Sequence, residues 1–136
     1  MKNNEVVYLV VALLSVGGLA VLFFMLRTSA EELGSKITGI WENADKSIRV
    51  LIYEIDSLFL GEVVWTTVQN QRVLGSRILH SIELKRFSLG KGIYNCPFTQ
   101  QQYHFQLKLV KSKVLSLHLH TPDGVPVLKE HWRMVK

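Results

Sequence analysis

QYHFQLKLVKSKVLSLHLH, residues 102–120, decides the fold. Over Gln102–Val110 apolar and polar residues alternate, with Tyr103, Phe105, Leu107 and Leu109 on one side and His104, Gln106 and Lys108 on the other. Val114–His120 repeats the pattern, setting Leu115, Leu117 and Leu119 against Ser116, His118 and His120. A period of two belongs to a strand with one buried face and one wet face. Matching the apolar faces across a hairpin predicts the pairs Leu109–Leu115, Leu107–Leu117 and Phe105–Leu119. The same register sets His104 opposite His120.

The rest of the chain past residue 36 shows the same short alternating runs and no sustained helical period. Strands are expected at Ile37–Trp41, Ser47–Ile55, Leu58–Trp65, Phe87–Tyr94 and Val127–Val135. Val73–Ile82 is ambiguous, with strand ahead of a short helix, and Thr66–Arg72 is polar and reads as a loop. In the third strand Phe59, Gly61, Val63 and Trp65 are expected to share one face. Asp56-Ser57 and Pro122-Asp123-Gly124 are turn signals. About eight short strands joined in order by short turns suit an all-β, small antiparallel up-and-down barrel, whose closure removes exposed edges. A barrel of that size encloses room for its own side chains or for one small ligand.

Upstream lies an uncharged run of 21 residues, Val6–Leu26. At about 1.5 Å per residue such a run spans the ~30 Å hydrocarbon core of a bilayer. It is longer than the ~7–15 apolar residues of a cleaved secretory signal, so it is expected to remain as a single-pass anchor. The expected organisation is a tail at 1–5, a transmembrane helix at 6–26, a polar linker at 27–35 and a β-barrel domain at 36–136. Lys and Arg are nearly balanced about the run. The short tail is expected to stay inside, which places the barrel outside the cytoplasm.

Residues 36–136 carry 14 Lys and Arg against 8 Asp and Glu, a net +6. Beside a bilayer this bias favours anionic lipid head groups as partners; nucleic acid ranks lower, because the anchor already holds the domain at lipid. Lys108, Lys111 and Lys113 cluster at one hairpin tip, and Lys85, Arg86 and Lys91 at another turn. The single cysteine, Cys96, rules out an internal disulfide. No P-loop, nucleophile elbow, zinc-protease helix motif or carboxylate pair occurs. An enzyme is therefore not expected, and neither is a cofactor.

The order of motifs resembles a bacterial family of small exported domains of unknown function that carry a calycin-like (lipocalin-like) barrel. The resemblance rests on Gly39-Ile40-Trp41, Gly61-Glu62-Val63-Val64-Trp65, Leu74-Gly75-Ser76-Arg77-Ile78-Leu79, Gly92-Ile93-Tyr94-Asn95 followed by Pro97, and Trp132-Arg133-Met134-Val135. Cys96 interrupts the Tyr-Asn-Pro turn of that pattern, and family members usually carry a cleavable export signal. The resemblance implies the calycin-like fold and an exported position, here the periplasmic side of a bacterial inner membrane; it implies no reaction.

Two sets of side chains are candidates for a site. Trp41, Trp65, Tyr94, Phe105 and Trp132 could line a ligand pocket, with Tyr94 as its polar handle and Arg133 closing the barrel end against a Trp; the alternative is that the rings simply fill the core. His104, His118 and His120, with His131 from the last strand, could share a metal ion. The function expected is a non-catalytic interaction subunit of a membrane-associated assembly. The alternative is a membrane-tethered barrel binding a small molecule or lipid. A binder needs an empty aromatic-lined cavity, whereas a subunit needs a packed interior and exposed apolar surface on its outer wall.

Overall fold

The computed structural model describes residues 31–85 and 89–135. They form a closed antiparallel barrel of eight strands in sequential order: β1 (Gly39–Glu42), β2 (Ile48–Ile55), β3 (Leu58–Thr66), β4 (Arg77–Leu84), β5 (Leu89–Asn95), β6 (Gln102–Lys111), β7 (Val114–His120) and β8 (Pro126–Met134). The anchor expected at 6–26 lies outside the described residues. Among the described residues no helix is long and apolar enough to cross a membrane.

The β6–β7 hairpin has the register that its alternation predicts. Leu109 pairs Leu115, Leu107 pairs Leu117, Phe105 pairs Leu119 and His104 pairs His120. A one-residue slip would turn every leucine to water, so burial of this face fixes the pairing. The β2–β3 hairpin turns through Asp56 and Ser57, both at positive φ (52° and 68°). This is the primed turn that matches the right-handed twist of a two-residue hairpin, and Asp tolerates it.

The interior is packed. Trp41, Phe105 and Trp132 are among its largest fully buried side chains. On β5 the inward positions opposite β6 include Gly90, which pairs Leu107, and Gly92, which pairs Phe105. A Cβ on Gly92 would lie 3.0 Å from the Phe105 ring and 2.9 Å from the His80 carbonyl oxygen. The glycine is therefore what lets the phenyl ring occupy the lumen. On β3 a Cβ at Gly61 would meet that of Leu79 at 2.8 Å, so the same device admits a leucine there.

Three local readings are corrected. Residues 31–37 are helical, although 31–35 were expected to belong to a polar linker and Ile37 to open a strand. Leu33 and Ile37, one helical turn apart, are buried in the core and close one end of the barrel. Val68–Val73 forms a 3-10 helix where a loop was expected, and Val73 is buried. Trp65 does not share the inward face of Phe59, Gly61 and Val63. Opposite Arg49 and Val50, which pair Trp65 and Val63, β3 carries one extra residue, Val64. That bulge turns Trp65 outward and Thr66 inward.

Candidate functional site

The six candidate ligand residues separate into two groups. Trp41, Phe105 and Trp132 are buried inside the barrel, and Tyr94 is half-buried near its other end. The Trp41 indole N–H donates to the Ile37 carbonyl at 2.7 Å, and the Trp132 indole N–H donates to the Glu130 carboxylate. Tyr94 meets Tyr103 across β5–β6 with ring centroids 6.5 Å apart. Burial, reinforced by Cys96 and Glu130 nearby, pushes the Tyr94 hydroxyl well above its ordinary range, so it stays protonated.

Trp65 and Arg133 lie on the outer wall instead. The Arg49 guanidinium sits 4.7 Å above the Trp65 ring, and Arg133 pairs Glu42 across the barrel seam. With Trp132 pointing inward, the period of two requires Arg133 to point outward. It therefore does not close the barrel over a tryptophan.

The interior leaves these rings no ligand to surround. Trp41, Val50, Ile52, Leu107 and Leu115 have no water-accessible surface. No water-sized void touches them, and at this contact distance side chains fill the space as in any protein core. The described grooves lie on the outer surface. One of about 490 Å³ spans Gln106, His118, His120 and Lys129 and reaches the end of the β7–β8 hairpin. Another of about 390 Å³ runs between β8 and the turn after β1, past Ala44, Lys46, Lys129 and His131.

The histidines are placed as the hairpin register requires, yet they do not form a three-ligand set. His104 and His120 stack with centroids 6.0 Å apart. His118 pairs Gln106 and Lys129, and His131 pairs Ser116. Among the described residues no three His, Cys, Asp or Glu side chains converge on a metal position. What the register builds instead is a cationic wall. The outward positions of β5 to β8 hold Lys91, Lys108, Lys129 and Arg133 beside the four histidines, and no carboxylate.

Cys96 is half-buried in the β5–β6 turn, which Gln100 and Gln101 close by backbone hydrogen bonds to it. Burial raises its thiol, but hydrogen bonds from the Thr99 side chain and backbone and from the Phe98 backbone outweigh that and leave it below its ordinary value. At the other side of the same end, the Asn43–Ser47 turn is internally tied. Asp45 accepts from Asn43 at 2.8 Å and from the Ser47 N–H at 3.0 Å, while Asn43 accepts from the Ile48 N–H at 3.0 Å. The Ser47 hydroxyl and backbone hold the Asp45 carboxyl below the usual carboxylate range.

Sequence reading missed the seam between β1 and β8. It has two residue pairs, Trp41–Met134 and Glu42–Arg133, because β1 ends at Glu42 and the chain turns away. No protein-family model, curated protein or solved structure matches the chain.

Proposed function

We propose that the chain is a non-catalytic interaction subunit of a membrane-associated assembly, a calycin-like barrel held beside the bilayer by a single-pass anchor at Val6–Leu26. The uncharged run supports the anchor, and its position supports a barrel on the periplasmic face of a bacterial inner membrane. The observation that carries the reading is the filled lumen. Trp41, Phe105 and Trp132 pack against one another's neighbours with no water-accessible space between them, so a binding role falls to the outer surface. That surface carries apolar side chains at Ile55, Leu58, Val110, Val125 and Val127 together with the cationic wall. The turn bearing Lys111 and Lys113 opens at the barrel end where residues 31–37 enter. This placement supports contact between those ammonium groups and anionic lipid head groups.

Native mass spectrometry of the full-length protein, released from membranes in mild detergent, tests the assignment. A partner polypeptide travelling with the chain is the expected result. A small apolar molecule released in stoichiometric amount only when the barrel unfolds would overturn it in favour of a ligand carrier.

A further inference from the structure

We infer that β8 accepts an added strand from an acidic partner polypeptide, in the slot between its free edge and the Asn43–Ser47 turn. The proposal rests on the interaction-subunit reading and names the surface and the chemistry of what it binds.

The edge follows from the hydrogen-bond alternation of antiparallel strands, in which successive residues direct their N–H and C=O to opposite neighbours. The Met134 N–H donates to the Lys113 carbonyl, on the β7 side, at 3.0 Å, and the Val135 N–H donates to the Ile40 carbonyl, on the β1 side, at 2.8 Å. Counting back along the strand, Arg133, His131 and Lys129 direct their backbone groups away from β7; the count stops at Val127, the extra residue of a bulge opposite Leu119 and His120. Arg133 meets Glu42 across the seam. Beyond it β1 has ended, and among the described residues no strand pairs the backbone of His131 or Lys129 on that side. An otherwise closed barrel thus presents a short open edge over Lys129–His131, about 7 Å at ~3.3 Å per residue. That is enough for the main-chain pairing by which an extended peptide extends a sheet.

Pro126 and Lys129 are the kinds of residue that guard an edge against promiscuous pairing. The surroundings are nevertheless those of a site. The slot has a volume of about 390 Å³, and its far wall is the turn that Asn43, Asp45 and Ser47 hold in one shape. A preformed wall lowers the ordering cost of binding.

Charge selects the occupant. Outward side chains of an added strand would lie beside Lys129 and His131, with Lys46 across the slot. The Glu42 carboxylate is paired by Arg49 at 3.0 Å; Glu130 keeps its charge but stands at an inward position, where it accepts from the Trp132 indole N–H. Inward side chains would lie beside Leu128, 47% exposed at the barrel end. The complementary segment is extended and alternates acidic with apolar residues. A second copy of β8 fits poorly, because antiparallel pairing about Lys129 would set that ammonium directly against its twin.

The test uses full-length protein in detergent micelles and two labelled ten-residue peptides, one alternating Glu with Val and the other Lys with Val. Saturable binding of the Glu–Val peptide is expected, at least ten-fold tighter than the Lys–Val peptide. Lys129→Glu should reverse that preference. His131→Pro removes the N–H that faces the slot, together with the imidazole, and takes no hydrogen bond from the β7–β8 ladder; it should weaken the Glu–Val peptide at least ten-fold, whereas His131→Ala, which keeps the N–H, should weaken it less. If the proline variant does not fold, amide exchange in the unaltered protein reads the same contact, since the peptide should slow His131 and Lys129. Equal binding of the two peptides, no binding of the Glu–Val peptide, unchanged exchange at those amides, or dimers formed through β8 in place of peptide binding would each overturn the proposal. A partner chain in the native mass spectrum alongside such a failure would remove this slot and leave the interaction-subunit reading standing.

Discussion

Truncating Phe105 to alanine probes the filled lumen directly. The ring is 1% exposed, is seated over Gly92 and pairs Leu119 on β7. Burial this complete puts Phe105→Ala in the range of about 3–5 kcal/mol, the sum of lost transfer energy and the cavity left behind. Against a total stability of about 5–15 kcal/mol for a domain of this size, the variant should be close to unfolding. With ~4–8 °C per kcal/mol at the midpoint, the melting temperature should fall by about 12–40 °C. Gly92→Ala attacks the same contact from the other side. Its methyl group would meet the His80 carbonyl oxygen at 2.9 Å as well as the ring at 3.0 Å, an overpacking worth about 1–3 kcal/mol. Combining it with Phe105→Leu should recover only part of that loss, because the carbonyl belongs to backbone and cannot move aside. The measurement is thermal unfolding of the full-length protein in detergent, followed by near-ultraviolet circular dichroism. A Phe105→Ala penalty below about 1 kcal/mol would refute the reasoning, since a ring bordering an empty ligand cavity has few contacts to lose.

Trp65→Ala should cost no more than about 1 kcal/mol, because the ring is exposed and its main partner is a solvated guanidinium; a large drop in melting temperature would contradict its outward placement. Ser116→Ala should raise stability by about 1 kcal/mol, since the Ser116 hydroxyl is buried without a hydrogen-bond partner, and a lower melting temperature would show that the hydroxyl is satisfied. Asp45, whose carboxyl is depressed by Ser47, contributes stability that is complete above the unfolded carboxylate range and is lost as pH falls through the lower folded value. Asp45→Asn should therefore flatten the acid limb of the stability curve, with its loss of stability largest at neutral pH and smallest in acid, where Asp45 is already protonated; an unchanged limb would count against the turn geometry. In intact cells with a permeabilised outer membrane, added protease should digest the barrel, and digestion only after the inner membrane is broken would reverse the proposed orientation.

What was legible in the sequence depended on whether a signal was strictly periodic. Gln102–Leu109 and Leu115–His120 alternate strictly, so the pairs between them could be written down residue by residue, and the His104–His120 stack came with them. Trp65 shows the opposite case. One extra residue at Val64 reverses the face of everything after it in the strand, and no local feature of Val63-Val64-Trp65 announces a bulge. The helical turn at 31–37 did carry a signal, the Leu33–Ile37 spacing, but a single apolar pair in a polar stretch is too little to separate a plug from a linker. The candidate rings are divided between the lumen and the outer wall. Trp41, Phe105 and Trp132 went inward as expected, while Arg133 could only follow Trp132 outward.

The seam was beyond sequence reading for a different reason. Its length is set by where β1 stops, and β1 stops because Asn43 caps the next strand's first N–H and ties the turn to Asp45 and Ser47. Two residue pairs are little backbone to close a barrel. The closure falls instead to side chains. Trp41 and Trp132 stand in the strands on either side of the seam, both buried, each with its indole N–H bonded within a few residues of its own strand. Their rings exclude water where the ladder is missing, so the lumen stays sealed although the wall is short of hydrogen bonds. The same division of labour explains how one molecule can have a packed core and an open strand edge. Sealing depends on the inward residues of β8, Trp132 and Glu130, and the unused backbone of Lys129 and His131 belongs to the alternate positions. An added strand could occupy those groups without disturbing either indole, which is why the lumen and the slot can be perturbed separately by Phe105→Ala and His131→Pro.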